Sequence, residues 1–316
     1  MINEGRTLYF EWEVLIMSWL QSHMGPAETA VASFFTMFGE ELILVILFGL
    51  IYWCIDKKAA KTLGTCFIVA LILNPMIKNI VLRRRPYFDH ESIDCLRPVN
   101  KNADIFDITF QGYSFPSAHT LNATVMYMSL CRMWKKPLFQ ISAVVLPLLV
   151  AASRVMLGVH YPTDVITGGI LGILIVMIVP AIQERIKDKG KFRLILFLLS
   201  LSGLFYCRTD DYFTALGMMA GFFTAIAFEE KYVDFAETGR PVICLLRIAG
   251  GALVYYISNT LLKLPFSKEF LESGTMSAHL TRSARYAVVI FLMFAIYPML
   301  FGKIGSKPTG DEEHEQ

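Results

Sequence analysis

Residues 153–182 read SRVMLGVHYPTDVITGGILGILIVMIVPAI. After Asp164 no charged residue follows until Glu184. An apolar run of that length crosses the roughly 30 Å hydrocarbon core of a bilayer as a helix. Ahead of it, Gly158 is suited to ending one helix and Pro162 to opening the next. His160 then lies on the connection and Asp164 in the first turn of the following helix. That spacing lets the carboxylate bond one ring nitrogen and leave the other free, which orients and activates an imidazole. Arg154, at the end of the preceding helix, offers a fork of donors suited to an oxyanion. The same three residues also read as a structural cluster satisfying a helix end.

Composition extends the membrane reading to the whole chain. Of 316 residues 55% are hydrophobic and only 18% charged, with a net charge of +2, which excludes a nucleic-acid partner. The mean hydropathy is positive. Residues 8–24 alternate Phe10, Trp12, Leu15, Ile16, Trp19 and Leu20 with polar positions, the pattern of a helix lying in the headgroup region. Glu4, Glu11 and Glu13 argue against a cleaved signal peptide. Nine spans are expected, at about 30–54, 59–82, 117–134, 137–157, 162–182, 192–207, 212–228, 241–262 and 286–301. The fold class is therefore all-α and polytopic. Its expected organisation is an interfacial helix (1–26), a core (27–190), C-terminal membrane helices (191–303) and an acidic tail (304–316). Short basic loops, at Lys57, Lys58 and Lys61, at Arg132, Lys135 and Lys136, and from Arg185 to Arg193, should face the cytoplasm. The N-terminus and the segments described next then face away from it.

Two further segments share the outer side with His160. Pro116-Ser117-Ala118-His119 stands at the start of a span, where unpaired backbone donors and the positive end of the helix dipole attract anions. Ser117 also reads as a simple N-cap and His119 as an interfacial polar residue. Residues 78–86, KNIVLRRRP, bring Lys78, Arg83, Arg84 and Arg85 to the end of another span. Lys78 and Arg85, with Arg154, are placed to stabilise a transferring phosphoryl group; the three arginines also read as headgroup-binding charge and Lys78 as a snorkelling side chain.

In this order the three segments resemble the signature of the type 2 phosphatidic acid phosphatase superfamily, whose soluble relatives include vanadium haloperoxidases. That pattern is a lysine, six residues and Arg-Pro; then Pro-Ser-Gly-His; then Ser-Arg, five residues, histidine, three residues and aspartate. The first and third match position for position. The second departs at Ala118, where glycine is usual, and alanine is comfortable near a helix start. Spans 59–182 fit the family's helical core of six-helix type. One span before the lysine-bearing span, four after the one opened by Asp164, and the Arg-Pro-Tyr-Phe run look like the sphingosine-1-phosphate phosphatase and glucose-6-phosphatase branches.

The resemblance implies a membrane-embedded phosphatase for a lipid phosphate: phosphatidic acid-like, sphingoid, or polyprenyl phosphate or diphosphate. It implies that His160 attacks phosphorus, Asp164 fixes its tautomer and His119 protonates the leaving oxygen. Lys78, Arg85, Ser117, Arg154 and the amide of Ala118 would hold the phosphoryl oxygens, with no metal or cofactor. The rivals are a phosphotransferase using the same phosphohistidine and a lipid transporter that kept the pocket. The last four spans are open between a groove for lipid tails and a homodimer face.

The remaining features have plainer readings. Arg247, inside a span, is expected to snorkel to the cytoplasmic side. Glu40 and Glu41 either cap a helix or face a polar cavity. Pro75 is expected to kink its span and aim Lys78. The loop 87–115 reads as a lid. Six cysteines, without ligand spacing, read as buried small hydrophobes.

Overall fold

The computed structural model describes residues 4–303, and the acidic tail predicted at 304–316 lies outside them. Among the described residues helices form all the regular structure; the one β contact is an isolated bridge between Arg6 and Arg83. The principal helices are α1 (Glu11–Ser22), α2 (Pro26–Thr36), α3 (Glu41–Leu50), α4 (Lys57–Val81), α5 (Ala118–Met133) and α6 (Pro137–Met156). They continue as α7 (Pro162–Arg185), α8 (Lys189–Ser200), α9 (Asp210–Phe228), α10 (Pro241–Leu261) and α11 (Met276–Phe291).

Among the described residues six helices are long and apolar enough to cross a bilayer, and a seventh span arises if the bent pair Pro26–Gly39 and Glu41–Ile55 counts as one. Two of the nine expected spans, at 117–134 and 192–207, are not among these. Residues 117–134 form the 16-residue helix α5, most of whose side chains are buried by α4, α6 and α7. At 16 residues it is shorter than those six helices, and ten of its residues are buried within the bundle. Residues 192–207 form the 12-residue helix α8 followed by a 3-10 turn, Leu201–Phe205. The first expected span corresponds to the bent pair, which turns by 44° at its break. The last begins well before Tyr286, because α11 opens with a polar turn at Met276 capped by Thr275.

α4 carries the first signature lysine. It starts where Asp56 accepts the Ala59 amide at 2.8 Å, and runs unbroken through Pro75 to a left-handed Leu82. On the inner side an aromatic cluster joins the first span to the C-terminal helices. Phe48, Tyr52 and Trp53 meet Phe294 with ring centroids 5.4 to 5.5 Å apart, and Phe48 meets Phe222 at 5.7 Å. Such pairs contribute about 0.5–1.5 kcal/mol each beyond area burial. Arg247 does not snorkel. It is buried against this cluster, donating to the carbonyls of Trp53 and Ala236, with its guanidinium 4.1 Å from the Phe301 ring centroid. Backbone acceptors inside the bundle take its Nη1, and the Phe301 ring covers the guanidinium.

Gly158 sets the connection between α6 and α7. Its φ is +75°, and a Cβ there would stand 2.1 Å from the Asp94 carbonyl oxygen. Both the left-handed backbone and the close approach demand glycine. Gly158→Ala is expected to destabilise the fold by about 1–2 kcal/mol or more, read as a lowered thermal midpoint in detergent.

Candidate active site

A cavity of about 470 Å³ opens between the C-terminal end of α4, the N-terminal ends of α5 and α9, and the α6–α7 connection. Lys78, Arg85, Ala118, His119, Arg154 and His160 line it, so six of the eight sequence-predicted residues meet on one wall. The other two stand directly behind. Ser117 caps α5, with its Oγ 3.1 Å from Thr120 Oγ1. Asp164 is fully buried under His160.

The local reasons are specific. Asn74, one turn before Lys78, donates to the Pro116 carbonyl at 3.0 Å and so ties the lysine-bearing helix to the start of α5. Gly39, at the bend of the first span, lets the backbone approach His119; a Cβ there would lie 2.8 Å from the His119 carbonyl oxygen. Arg85 is held by neutral acceptors: its Nε donates to the carbonyls of Gln111 (2.9 Å) and Gly112 (3.1 Å), and its Nη1 to that of Val159 (2.9 Å). The same Nη1 stands 3.4 Å from His160 Nε2. Arg154 donates to the Thr36 hydroxyl at 3.0 Å. Neither arginine is paired with a carboxylate among these contacts, so their charge is available to an anion in the cavity.

His160 Nδ1 lies 3.3 Å from Asp164 Oδ2, which also accepts the Tyr161 amide at 2.9 Å. The imidazole is thus tethered on its Nδ1 side, with Nε2 beside the cations. Burial, reinforced by the Arg85, Arg154 and Lys78 charges, pushes the His160 pKa well below the ordinary histidine value. A neutral ring keeps its Nε2 lone pair at physiological pH.

Two residues that sequence reasoning passed over complete the arrangement. Arg83 is buried, not at a headgroup surface: its Nη1 reaches Asp164 Oδ1 (2.7 Å) and its Nη2 reaches Glu13 Oε2 (2.6 Å). Glu13, on the inner face of α1, also accepts from the Thr163 hydroxyl (2.6 Å) and amide (3.0 Å). Burial acts to raise the Glu13 pKa, but the Thr163 and Phe10 donors and the Arg83 charge outweigh it and hold the group below its usual range. A continuous chain therefore runs Glu13–Arg83–Asp164–His160. Charged residues on the apolar-patterned helix were the available signal, since Glu13 sits opposite the exposed Trp12, Leu15 and Trp19. The lining also includes Glu41, Asp210 and Asp211, with Asp210 paired to Arg282 at 2.6 Å. Glu40 does not enter it and pairs with Arg97.

Helical spans, a cation-rich cavity at their ends and a carboxylate-held histidine define a membrane enzyme of phosphate-ester hydrolysis. The chain belongs to the PAP2 superfamily: that family model matches residues 59–188, and a model described as PAP2 superfamily phosphatase, transmembrane extension, matches residues 213–309. It is 34% identical over 175 residues to decaprenylphosphoryl-5-phosphoribose phosphatase of Mycobacterium tuberculosis, covering 54% of this chain and 90% of that one. It is 26% identical to sphingosine-1-phosphate phosphatase 1 of Rattus norvegicus, over 58% of this chain and 43% of the relative. Among solved structures, a transmembrane PAP2 type phosphatidylglycerolphosphate phosphatase from Bacillus subtilis matches 56% of this chain and 87% of its own, at 26% identity and a TM-score of 0.44.

Removing one partner of a buried ion pair costs about 3–5 kcal/mol because the other charge is left uncompensated. Arg83→Met is therefore expected to lower kcat about tenfold or more with a smaller change in KM, and Glu13→Gln to have the same signature at lower amplitude. Steady-state kinetics alongside thermal melting would separate this from simple unfolding.

Proposed function

We propose that the protein removes phosphate from a lipid phosphate through a phosphohistidine on His160, without a metal ion. The observation that carries this reading is the tether of His160 Nδ1 to Asp164 at 3.3 Å, with Nε2 facing the wall that holds Lys78, Arg85 and Arg154. In the first step Nε2 bonds to phosphorus, the ester P–O bond breaks, and His119 protonates the departing alkoxide. In the second step His119 takes a proton from water, whose oxygen bonds to phosphorus and releases inorganic phosphate and free His160. Lys78, Arg85, Arg154 and the amide of Ala118 at the start of α5 offset the charge on the phosphoryl oxygens, the electrostatic work a metal would otherwise do. Ser117 supports this from behind by fixing the first turn of α5.

A lipid substrate is supported by the position of the cavity at the ends of the spans and by relatives named for polyprenyl and sphingoid phosphates. The short basic loops support a site on the non-cytoplasmic face. A cysteine at exposed Lys101 should accordingly react with an impermeant thiol reagent from that side of sealed vesicles.

His160→Ala is expected to abolish phosphate release in detergent, and His119→Ala to slow it while an acid-labile phosphoenzyme accumulates. Chelator should leave the rate unchanged and vanadate should inhibit. Release of label only when an acceptor lipid is added would instead favour phosphotransfer. The lowered His160 pKa keeps the nucleophile neutral into mildly acidic solution. The acid limb of kcat/KM against pH should therefore fall below the ordinary histidine value of about 6.5.

A further inference from the structure

A second cavity, of about 450 Å³, adjoins the first and is lined almost wholly by apolar side chains. The two cavities share Glu41, Leu71 and Met218, one residue from each of α3, α4 and α9. On each of these helices the lining changes from polar to apolar in the same direction. Along α4 it passes from Lys78 and Asn74 to Leu71, then to Phe67 and Gly64. At 1.5 Å per residue, Leu71 lies about 10 Å from Lys78 and Gly64 roughly another 10 Å deeper. Along α9 it passes from Asp211 and Thr214 to Met218 and then Phe222. Along α3 it passes from Glu41 to Val45 and Gly49. The far wall is Ala252 and Tyr255 of α10 with Ile290 of α11, all from the C-terminal extension.

We infer that this second cavity is a binding groove for one hydrocarbon chain of the lipid phosphate, built by the extension against the catalytic core; the inference rests on the phosphatase reading for the head end. The complementarity is that of an amphiphile. Cations meet the phosphate at one end, Glu41 stands at the junction where a polar linkage falls, and apolar walls take the chain. A chain leaving water for such a groove contributes through each methylene it buries. The extension is then a substrate-length selector, and preference should grow with chain length until the groove is filled.

The test compares butyl and hexadecyl phosphate as substrates for the full-length protein in detergent. The ratio of kcat/KM, long over short, is expected to exceed one by tenfold or more and to fall about tenfold in Ala252→Phe, which fills the groove from its exposed wall. Met218→Phe repeats the test from the opposite wall. A ratio unchanged in both variants overturns the inference. A readout independent of turnover uses Trp53, which lines the groove. With Trp12, Trp19 and Trp134 replaced by phenylalanine, a hexadecyl phosphonate brominated along its chain should quench Trp53 saturably and be displaced by its unbrominated form. Saturable quenching in a protein that fails to hydrolyse either ester would uphold the groove and retire the phosphatase reading. Hydrolysis without saturable quenching would do the reverse.

Discussion

Burying a carboxylate is costly unless its oxygens are paired, and Asp164, fully buried, meets that constraint on both oxygens. One takes Arg83, the other takes the Tyr161 amide and faces His160. The candidate site is arranged around that group. It can orient the histidine because Arg83 balances its charge, and Arg83 can stay buried because Glu13 balances the remainder. The chain of alternating charges fixes α1, the end of α4 and the α6–α7 connection relative to one another. Gln21 adds a second tie from α1, bonding both ways to the Asp94 backbone and to the Met156 carbonyl.

Three consecutive arginines show how partners decide roles. Arg83 is quenched between two carboxylates and acts as a structural pin. Arg84 is half-exposed and pairs with Asp89 near the surface. Arg85 is held only by carbonyl oxygens, so it keeps its charge for an incoming anion. Neutral acceptors position a guanidinium without neutralising it, which is what a preorganised phosphate site requires. Lys78 and Arg154 are likewise buried on the same wall. This side of the cavity therefore gathers positive charge that a phosphate dianion would offset.

α1 connects this electrostatics to the membrane. Its outer face exposes Trp12, Leu15 and Trp19, side chains that suit the headgroup boundary, while its inner face presents Glu13 and Met17 to the core. One short helix thus exposes apolar side chains on one face and joins the carboxylate chain of the candidate site on the other. The C-terminal helices contribute at the opposite end of the site, where the aromatic cluster around Phe294 and the buried Arg247 lock the extension onto the first span.

Much was legible from residue order alone. Apolar runs bounded by charge marked the long helices, because a bilayer imposes length and composition locally. The spacing of His160 to Asp164, and the placing of Lys78, Arg85, His119 and Arg154 at helix ends, predicted residues that do share one cavity. The segments expected as spans at 117–134 and 192–207 form shorter helices, α5 of 16 residues and α8 of 12, because hydropathy marks apolar content and not where a helix ends. Arg247 and Arg83 were misread for a related reason: a buried cation is tolerated only through particular distant acceptors, and sequence does not reveal those. What the sequence by itself determined was the set of helices and the chemistry at their ends, both governed by neighbours along the chain. Which charges are quenched, which remain free, and that Glu13 reaches the catalytic aspartate through Arg83 were decided only by tertiary packing, since those partners lie 70 and 81 residues apart.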